Sequence, residues 1–395
     1  MIDIKTDNVL KIKQLFGLKT KSNLNAQLAR KLSESLLNKK QKYILQNKLD
    51  GIRVQCFFIM DKEKNASLYV VSREFKLIPN TFIRAAIENM LFVYFREGLM
   101  NGIDKLNTEA DDFACVFIDG EILTYNEHNK IDDFNVLQSK VMSKDGTPLF
   151  KVCVFDMLTR NYLTIFDHVS FNEYDETVKV HLEDNEECTH YSSPYISRLA
   201  SLKRHVYRIS RDTGINQLLF TPVMETINEE EYDGYQKTEI DKFHQKMLEM
   251  GFEGVIIRNP YAAYHSGRAT KTHNEILKDK QTETIDAIIL EILPLQKNEN
   301  DAVDNGTGSL KRSSKNSNKV TQLTAGSLFV QDSKGRKFHV GSGFDDITRL
   351  TFWENRDKLI GKVIEVKYMS FGMKNPPRNP VFVRLREDIT MKNIV

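Results

Sequence analysis

Apolar positions recur along this chain with two different periods, and the switches between them outline its elements. Leu24, Leu28 and Leu32 stand at spacing four in an otherwise polar stretch, which predicts helix over the first 40 residues. From Tyr43 the texture becomes that of strands. YILQNKLDG, VQCFFIM and SLYVVSR are rich in β-branched and aromatic residues and predict an antiparallel series. Pro79 stands where a helix starts, and Phe82, Ala86, Met90 and Val93 supply an apolar stripe for it. ACVFIDGEILTY and FKVCVFDML return to strand character. The mixed, acidic stretch from about Arg160 to Glu230 has no period that places its elements. YQKTEIDKFHQKMLEMG then predicts an amphipathic helix stopped by Gly251, and strands GVIIRN and HNEILKDK follow it.

A boundary falls near 280–284, giving domains over 1–281 and 282–395. The second domain shows ETIDAIILEIL, SLFVQD, KFHVGSG, KVIEVKYMS and FVRLRED, five short strands, with one helix over about 346–360. That count suits a small Greek-key barrel of the oligonucleotide-binding type. Between its first two strands lies a polar, low-complexity stretch, about 296–320, which reads as a flexible insertion with four basic residues from Lys311 to Lys319.

Composition narrows the class. With 395 residues, 41% hydrophobic and 28% charged, the chain has the profile of an ordinary globular protein of two or three domains. No apolar run reaches the length that spans a bilayer, and the start lacks the apolar stretch of a signal peptide, so no membrane partner is expected. The four cysteines, Cys56, Cys115, Cys153 and Cys188, are scattered. Only Cys188 has a histidine close by, His190, which argues against a zinc site and a disulfide scaffold and fits a reducing cytoplasm. Net charge is +2, but from Thr282 onward there are 18 basic and 14 acidic residues. A mildly positive second domain gains from counterion release beside a phosphate backbone.

The sharpest chemical signal is Lys48-Leu49-Asp50-Gly51-Ile52-Arg53. A lysine at a strand end, followed by a turn-forming Asp-Gly and an arginine, puts an amine where the backbone approaches a ligand closely. Acting as a nucleophile at neutral pH requires that amine to lose its proton. The same residues also describe a hairpin turn with two solvated charges, since Asp-Gly is a common turn signal.

Further along, the motif resembles the signature of the covalent nucleotidyltransferases, which comprise polynucleotide ligases and messenger-RNA capping enzymes. Ser72-Arg73 is similar to the second motif of that family, with Glu74-Phe75 in place of its usual glycine region. Phe117-Ile118-Asp119-Gly120-Glu121 resembles the third, and Val154-Phe155-Asp156 the aromatic motif that stacks on the base. Phe252-Glu253-Gly254-Val255-Ile256-Ile257-Arg258 resembles the fourth, and Leu277-Lys278-Asp279-Lys280 the fifth. Order and approximate spacing hold from residue 43 to 388.

The resemblance implies an α+β fold: a nucleotidyltransferase (ATP-grasp-like) adenylation domain of antiparallel sheets with helices, followed by a C-terminal OB-fold β-barrel. It implies that Lys48 attacks the α-phosphate of ATP to give a lysyl-adenylate and pyrophosphate. Lys278 and Lys280 share one strand face and would meet the phosphate charge. Glu121 would contact the ribose and Glu253 would help hold a divalent metal, with Glu121 as a second candidate ligand. Hard oxygen donors point to magnesium, with manganese as the substitute. Phe155 would stack on adenine. Gln46 stands where the purine edge is read, a position at which ligases often carry glutamate. Arg53 and Arg73 would bind the ribose and phosphate end. Arg384-Leu385-Arg386-Glu387-Asp388 resembles the terminal motif that orients pyrophosphate, with Ile389 where that motif closes on lysine. Taken singly, each of these residues reads as an ordinary core or surface side chain.

Within the superfamily, Glu-Gly-Val-Ile-Ile-Arg and the VGSGF and RNPVFVRLRED segments are similar to ATP-dependent DNA ligases. Capping guanylyltransferases usually carry a tryptophan between the fifth-motif lysines, whereas Trp353 is the only tryptophan here. RNA ligases often lack an arginine at the Arg53 position. A nucleic-acid-binding module with a decayed transferase site is the non-enzyme alternative. With 47 residues ahead of Lys48, the resemblance is to compact bacteriophage and viral ligases. The expected partner is nicked duplex DNA, gripped by a monomer, with Lys311 and Arg312 of the insertion contacting phosphates.

Overall fold

The computed structural model describes residues 27–33, 43–105, 113–161, 193–213, 218–220, 223–227, 233–265, 267–270, 272, 274–304, 310–313, 315–369 and 376–386. The chain forms two compact units that divide between Asp279 and Lys280. The first unit opens with strands β1 (Arg30–Lys31), β2 (Tyr43–Lys48), β3 (Ile52–Asp61) and β4 (Ala66–Ser72), then helix α1 (Thr81–Asp104). Next come β5 (Phe113–Tyr125), α2 (Phe134–Met142), β6 (Leu149–Arg160), α3 (Tyr195–Thr213), β7 (Leu218–Phe220) and β8 (Val223–Ile227). Helix α4 (Asp233–Glu249), β9 (Gly254–Arg258) and β10 (Ile276–Lys280) end it.

These strands build two five-stranded sheets, ordered β1-β10-β9-β2-β8 and β4-β3-β5-β6-β7. Strands β2 and β3 are separated only by the Leu49-Asp50-Gly51 turn, yet they lie in different sheets. The run expected as one antiparallel series is therefore split: β2 pairs with β8 and β9, and β3 with β4 and β5. Period-two alternation then assigns the faces. Tyr43 and Leu45 of β2 pack with Ile240, Phe243 and Met247 of α4, which leaves Ile44, Gln46 and Lys48 on the opposite face. In β3, Val54, Cys56 and Phe58 pack against Ile87, Leu91, Phe95 and Leu99 of α1, which leaves Arg53, Gln55 and Phe57 on the other side. Each large apolar side chain so buried contributes about 1.5–3 kcal/mol.

Two helical expectations change. The described part of the N-terminal segment is extended: Leu28 bridges Arg268, and β1 runs parallel to β10. Spacing four is also an even spacing, so leucines at 28 and 32 share a strand face as readily as a helix face; Leu24 lies outside the described residues. In α1 the buried side includes Ile83, Ile87, Met90, Leu91, Phe95 and Leu99, so Met90 of the expected stripe is buried, while Val93 is 64% exposed and Phe82 39%. The helix starts after Asn80 rather than at Pro79, because the Asn80 side chain accepts the Ile83 N–H at 2.9 Å. Gly251 takes a positive φ of 84° just past α4, as its place predicted.

The second unit contains β11 (Glu283–Asn298), β12 (Ala302–Asp304), β13 (Leu310–Arg312), β14 (Lys319–Asp332) and β15 (Lys337–Val340). Helices α5 (Asp346–Glu354) and α6 (Arg356–Leu359) follow, then β16 (Val363–Met369) and β17 (Arg378–Arg386). The five expected strands form one sheet in the order β15-β14-β11-β16-β17. It is an open ladder. Its edges approach at a bridge between Ser342 and Val381, where Phe382 N donates to Ser342 O at 2.8 Å. Gly343 permits this approach, since a Cβ there would stand 2.2 Å from the Phe382 carbonyl oxygen.

The insertion at 296–320 carries secondary structure. Register between β11 and β14 continues to Asn298 opposite Lys319, beyond the reach of β15 and β16, so the two strands project as a ribbon. An antiparallel β12–β13 pair tips it. Asn300 ties the tip, its Nδ2 donating to Ser313 O at 3.0 Å and Lys315 O at 2.8 Å.

Replacing Asn80 tests the assignment of the α1 start. Asn80→Ala is expected to lower unfolding free energy by about 1–2 kcal/mol, read by denaturant titration, because it removes the N-cap acceptor.

Candidate active site

The turn after β2 is where the two sheets of the first unit exchange the chain, and it is built for close approach. A Cβ on Gly51 would stand 2.5 Å from Ile122 O and 2.7 Å from Glu121 Cγ. With no side chain there, Gly51 N donates to Glu121 Oε1 at 3.0 Å and draws β2 against β5. Lys48, the last residue of β2, is 16% exposed; its Nζ forms an ion pair with Glu253 and donates to Leu49 O at 3.2 Å. Glu253 is held in turn by its own N–H, which donates to Lys48 O at 3.1 Å. Burial pushes the Glu121 carboxyl above the usual carboxylate range and the neighbouring Glu253 adds to this, while Lys48, Arg53 and the Gly51 N–H pull it back. The site thus sets one amine beside a buried carboxylate, Glu253, and a half-buried one, Glu121.

Beside it lies a buried ionic network. Arg53 donates to both oxygens of Asp119, each at 2.6 Å, and its guanidinium lies 4.4 Å from the centre of the Phe155 ring. Burial works to lower the Arg53 pKa, but the Asp119 carboxylate outweighs it and leaves the pKa raised. Tyr264 Oη donates to Asp119 Oδ2 at 3.2 Å. Asp156, fully buried on β6, accepts from Arg198 at 2.8 and 3.1 Å and from Arg258 at 3.2 Å. Arg258 also donates to Gln27 Oε1 at 2.9 Å. Register across the second sheet places Arg53 opposite Glu121, Gln55 opposite Asp119, and Asp119 opposite Asp156, all on one face.

The expected site residues divide by position. Lys48, Gln46, Arg53, Glu121, Phe155 and Glu253 converge around the sheet exchange. Glu121 lies in mid-strand rather than at a strand end. Arg73 is exposed in the turn just past β4, whose last paired residue, Ser72, stands opposite Val54. Lys278 and Lys280 share β10, one strand beyond β9, and register sets Lys278 beside Lys31. In the second unit Arg384 pairs with Glu365 at 2.7 Å and Arg386 with Asp286 at 3.1 Å. Arg312 donates to Asn300 O, and the Lys311 side chain lies outside the described residues. Sequence reasoning missed Asp119, Asp156, Arg198, Arg258, Tyr195 and Lys31. Three of them stand inside the motifs already quoted; an ionisable residue in an apolar strand was the available signal.

A family model described as "ATP dependent DNA ligase domain" matches residues 24–280, more than half of the chain. The chain belongs to the ATP-dependent DNA ligase family. A second model, "DNA ligase OB-like domain", matches residues 318–386. The ligase fold is similar to that of a solved structure named "Pmar-Lig_Pre.", at 18% identity and TM-score 0.60, over 97% of this chain and 72% of that one. It is also similar to a Lig E DNA ligase described as binding DNA "with a minimal scaffold", at 18% identity and TM-score 0.52, over 92% of this chain and 99% of that one. No curated protein sequence matches. The enzyme is therefore an ATP-dependent polynucleotide ligase that forms phosphodiester bonds at nicks in duplex DNA, and the capping, RNA-ligase and non-enzymatic alternatives fall away.

The electrostatics of Glu121 give a test. Burial favours its protonated form, so its contribution to folding is greatest at low pH and is lost as pH rises through the raised pKa. Glu121→Gln is expected to raise the melting temperature at neutral pH while slowing self-adenylation; scanning calorimetry and labelled-ATP uptake read the two effects.

Proposed function

We propose that Lys48 is the adenylated nucleophile of this ligase, and the observation that carries the reading is its position at the sheet exchange beside the buried Glu253 and the half-buried Glu121. Attack requires the amine in its unprotonated form, with its lone pair free. Nζ then bonds to the α-phosphorus of ATP and the bond to the pyrophosphate oxygen breaks. The adenylyl group passes next to the 5′-phosphate at a nick, and the 3′-hydroxyl attacks that phosphate, sealing the strand and releasing AMP.

The remaining roles follow the chemistry of each side chain. Lys278 and Lys280 meet phosphate charge. Lys31, which register sets beside Lys278, joins them. Arg53 and Arg73 take the ribose and phosphate end, Phe155 the adenine face, and Gln46 the purine edge. Arg384 and Arg386 serve the leaving pyrophosphate.

Glu121 and Glu253 suit magnesium, or manganese in its place. A hard cation of this kind takes one or two carboxylates and completes its shell with phosphate oxygens and water. Among the described residues no group of three or more metal-binding side chains occurs, which agrees with a metal that arrives with nucleotide rather than one caged by protein. When bound, the metal neutralises charge developing on the phosphate.

The ribbon that carries Lys297, Arg312, Lys315 and Lys319 is proposed to lie along duplex phosphates. The enzyme is further proposed to act as a monomer in the cytoplasm. Supporting this, no described helix is long and apolar enough to cross a membrane, and Cys56, Cys115 and Cys153 are free thiols.

Two experiments test these roles. Lys48→Ala is expected to abolish label uptake from ATP and sealing of ordinary nicks while sparing sealing of a pre-adenylated nick; label retained by the variant overturns the nucleophile. Removing residues 299–318 is expected to weaken nicked-duplex binding and flatten its dependence on salt, since each lost phosphate contact reduces the slope by about 1; an unchanged slope excludes the ribbon.

A further inference from the structure

The amide of Gln46 is held by a hydroxyl whose own proton is already committed, and this decides which end of the amide faces a nucleotide. Gln46 and Lys48 share one face of β2. On that face Tyr195, the first residue of α3, packs with Ile44 and Leu199. Tyr195 Oη lies 2.9 Å from the carbonyl oxygen of Phe155 and 3.0 Å from the Gln46 amide. A carbonyl can only accept, so the single hydroxyl proton goes to Phe155 O. Towards Gln46 the hydroxyl then has only lone pairs to offer, and the amide must turn its NH2 end to it. Oε1 remains as the outward group, and it accepts no hydrogen bond from a described residue. The phenol has little freedom to change this arrangement. Its side chain is buried, and the Arg258 guanidinium lies 4.4 Å from its ring centre, tied to Asp156 and Gln27.

We propose that Tyr195 is a positioning residue for nucleotide selection: by fixing Gln46 with its oxygen outward, it makes the site accept a purine with a 6-amino group and reject one with a 6-oxo group. This rests on the reading that Gln46 meets the base edge. Adenine presents an N–H donor at that position and guanine a carbonyl acceptor. To accommodate guanine the amide would have to flip, which sets two acceptors against each other at Tyr195 unless the hydroxyl abandons Phe155 O. Either outcome strands a buried polar group.

The test measures covalent labelling of the full-length enzyme with ATP and with GTP. Tyr195→Phe is expected to lower the ATP/GTP ratio of kcat/KM by about tenfold, the scale of one stranded hydrogen-bonding group, chiefly by a gain with GTP. The rate at saturating ATP is expected to stay within about threefold of the parent, as expected where no group touching the reacting atoms is lost. A carboxylate accepts in either orientation, so adding Gln46→Glu to the Tyr195→Phe protein is expected to restore the preference for ATP. A merely structural role for Tyr195 would give no such rescue. If Gln46→Ala erases selectivity while Tyr195→Phe preserves it, the lock is overturned and the base-edge reading stands. If Gln46→Ala also preserves selectivity, the base-edge reading itself fails. Should Tyr195→Phe not fold, the parent enzyme decides: the expected order of labelling is ATP, then purine riboside triphosphate, then inosine triphosphate. Equal labelling by ATP and inosine triphosphate overturns the fixed acceptor.

Discussion

A charge removed from water needs an opposite charge or a full set of hydrogen bonds, and the first unit of this ligase is organised around that requirement. The space where its two sheets exchange the chain contains Lys48, Arg53, Arg198 and Arg258 against Glu253, Glu121, Asp119 and Asp156. Such clusters contribute little net stability, but removing one partner of a closely paired charge, as at Arg53–Asp119 or Arg198–Asp156, leaves the other stranded at a cost of about 3–5 kcal/mol. They therefore specify geometry. Arg53 is held on Phe155 because Asp119 grips both of its donors, and Asp119 is held because Tyr264 donates to it. The Lys48 amine is likewise held against the Glu253 carboxylate.

The two units solve different physical problems. In the first, helices cover one face of each sheet and the opposite faces carry ionisable side chains. In the second, a single sheet packs Phe338, Phe352, Val366 and their neighbours into a small core. Bulges around Pro294, with Gly326 admitting the Leu295 backbone where a Cβ would stand 2.6 Å from Leu295 Cα, bend the long β11–β14 pair. Beyond the bend the pair leaves the sheet as the basic ribbon. Polar composition, which marks this stretch as an insertion, here accompanies a short strand pair fastened by the backbone contacts of Asn300.

Legibility followed the range of the interaction. Strands of the first sheets, the helix stopped at Gly251 and the five strands of the second unit were readable because alternation and turn chemistry are local. The N-terminal leucines were misleading because an even spacing serves strand and helix alike. In α1 the expected Ala86 and Met90 do pack on the core, but Phe82 and Val93 are exposed, because several apolar residues compete for the buried side and only the sheet beneath decides among them. The candidate site was readable where an ordered series of motifs exists. Asp119 and Asp156, inside those motifs, escaped notice because their partners Arg53, Arg198 and Arg258 are distant in sequence.

What the sequence determined alone was the chemistry available: a lysine beside a turn that only glycine allows, carboxylates in apolar strands, and lysines on alternate residues of one strand. These are properties of single residues and their immediate neighbours. Only the tertiary structure decided that β2 and β3 part into different sheets, that Glu253 reaches Lys48, and that a tyrosine from α3 sets the direction of an amide on β2. Each depends on side chains separated by more than a hundred residues, whose meeting is governed by packing and burial of the whole unit rather than by any local pattern.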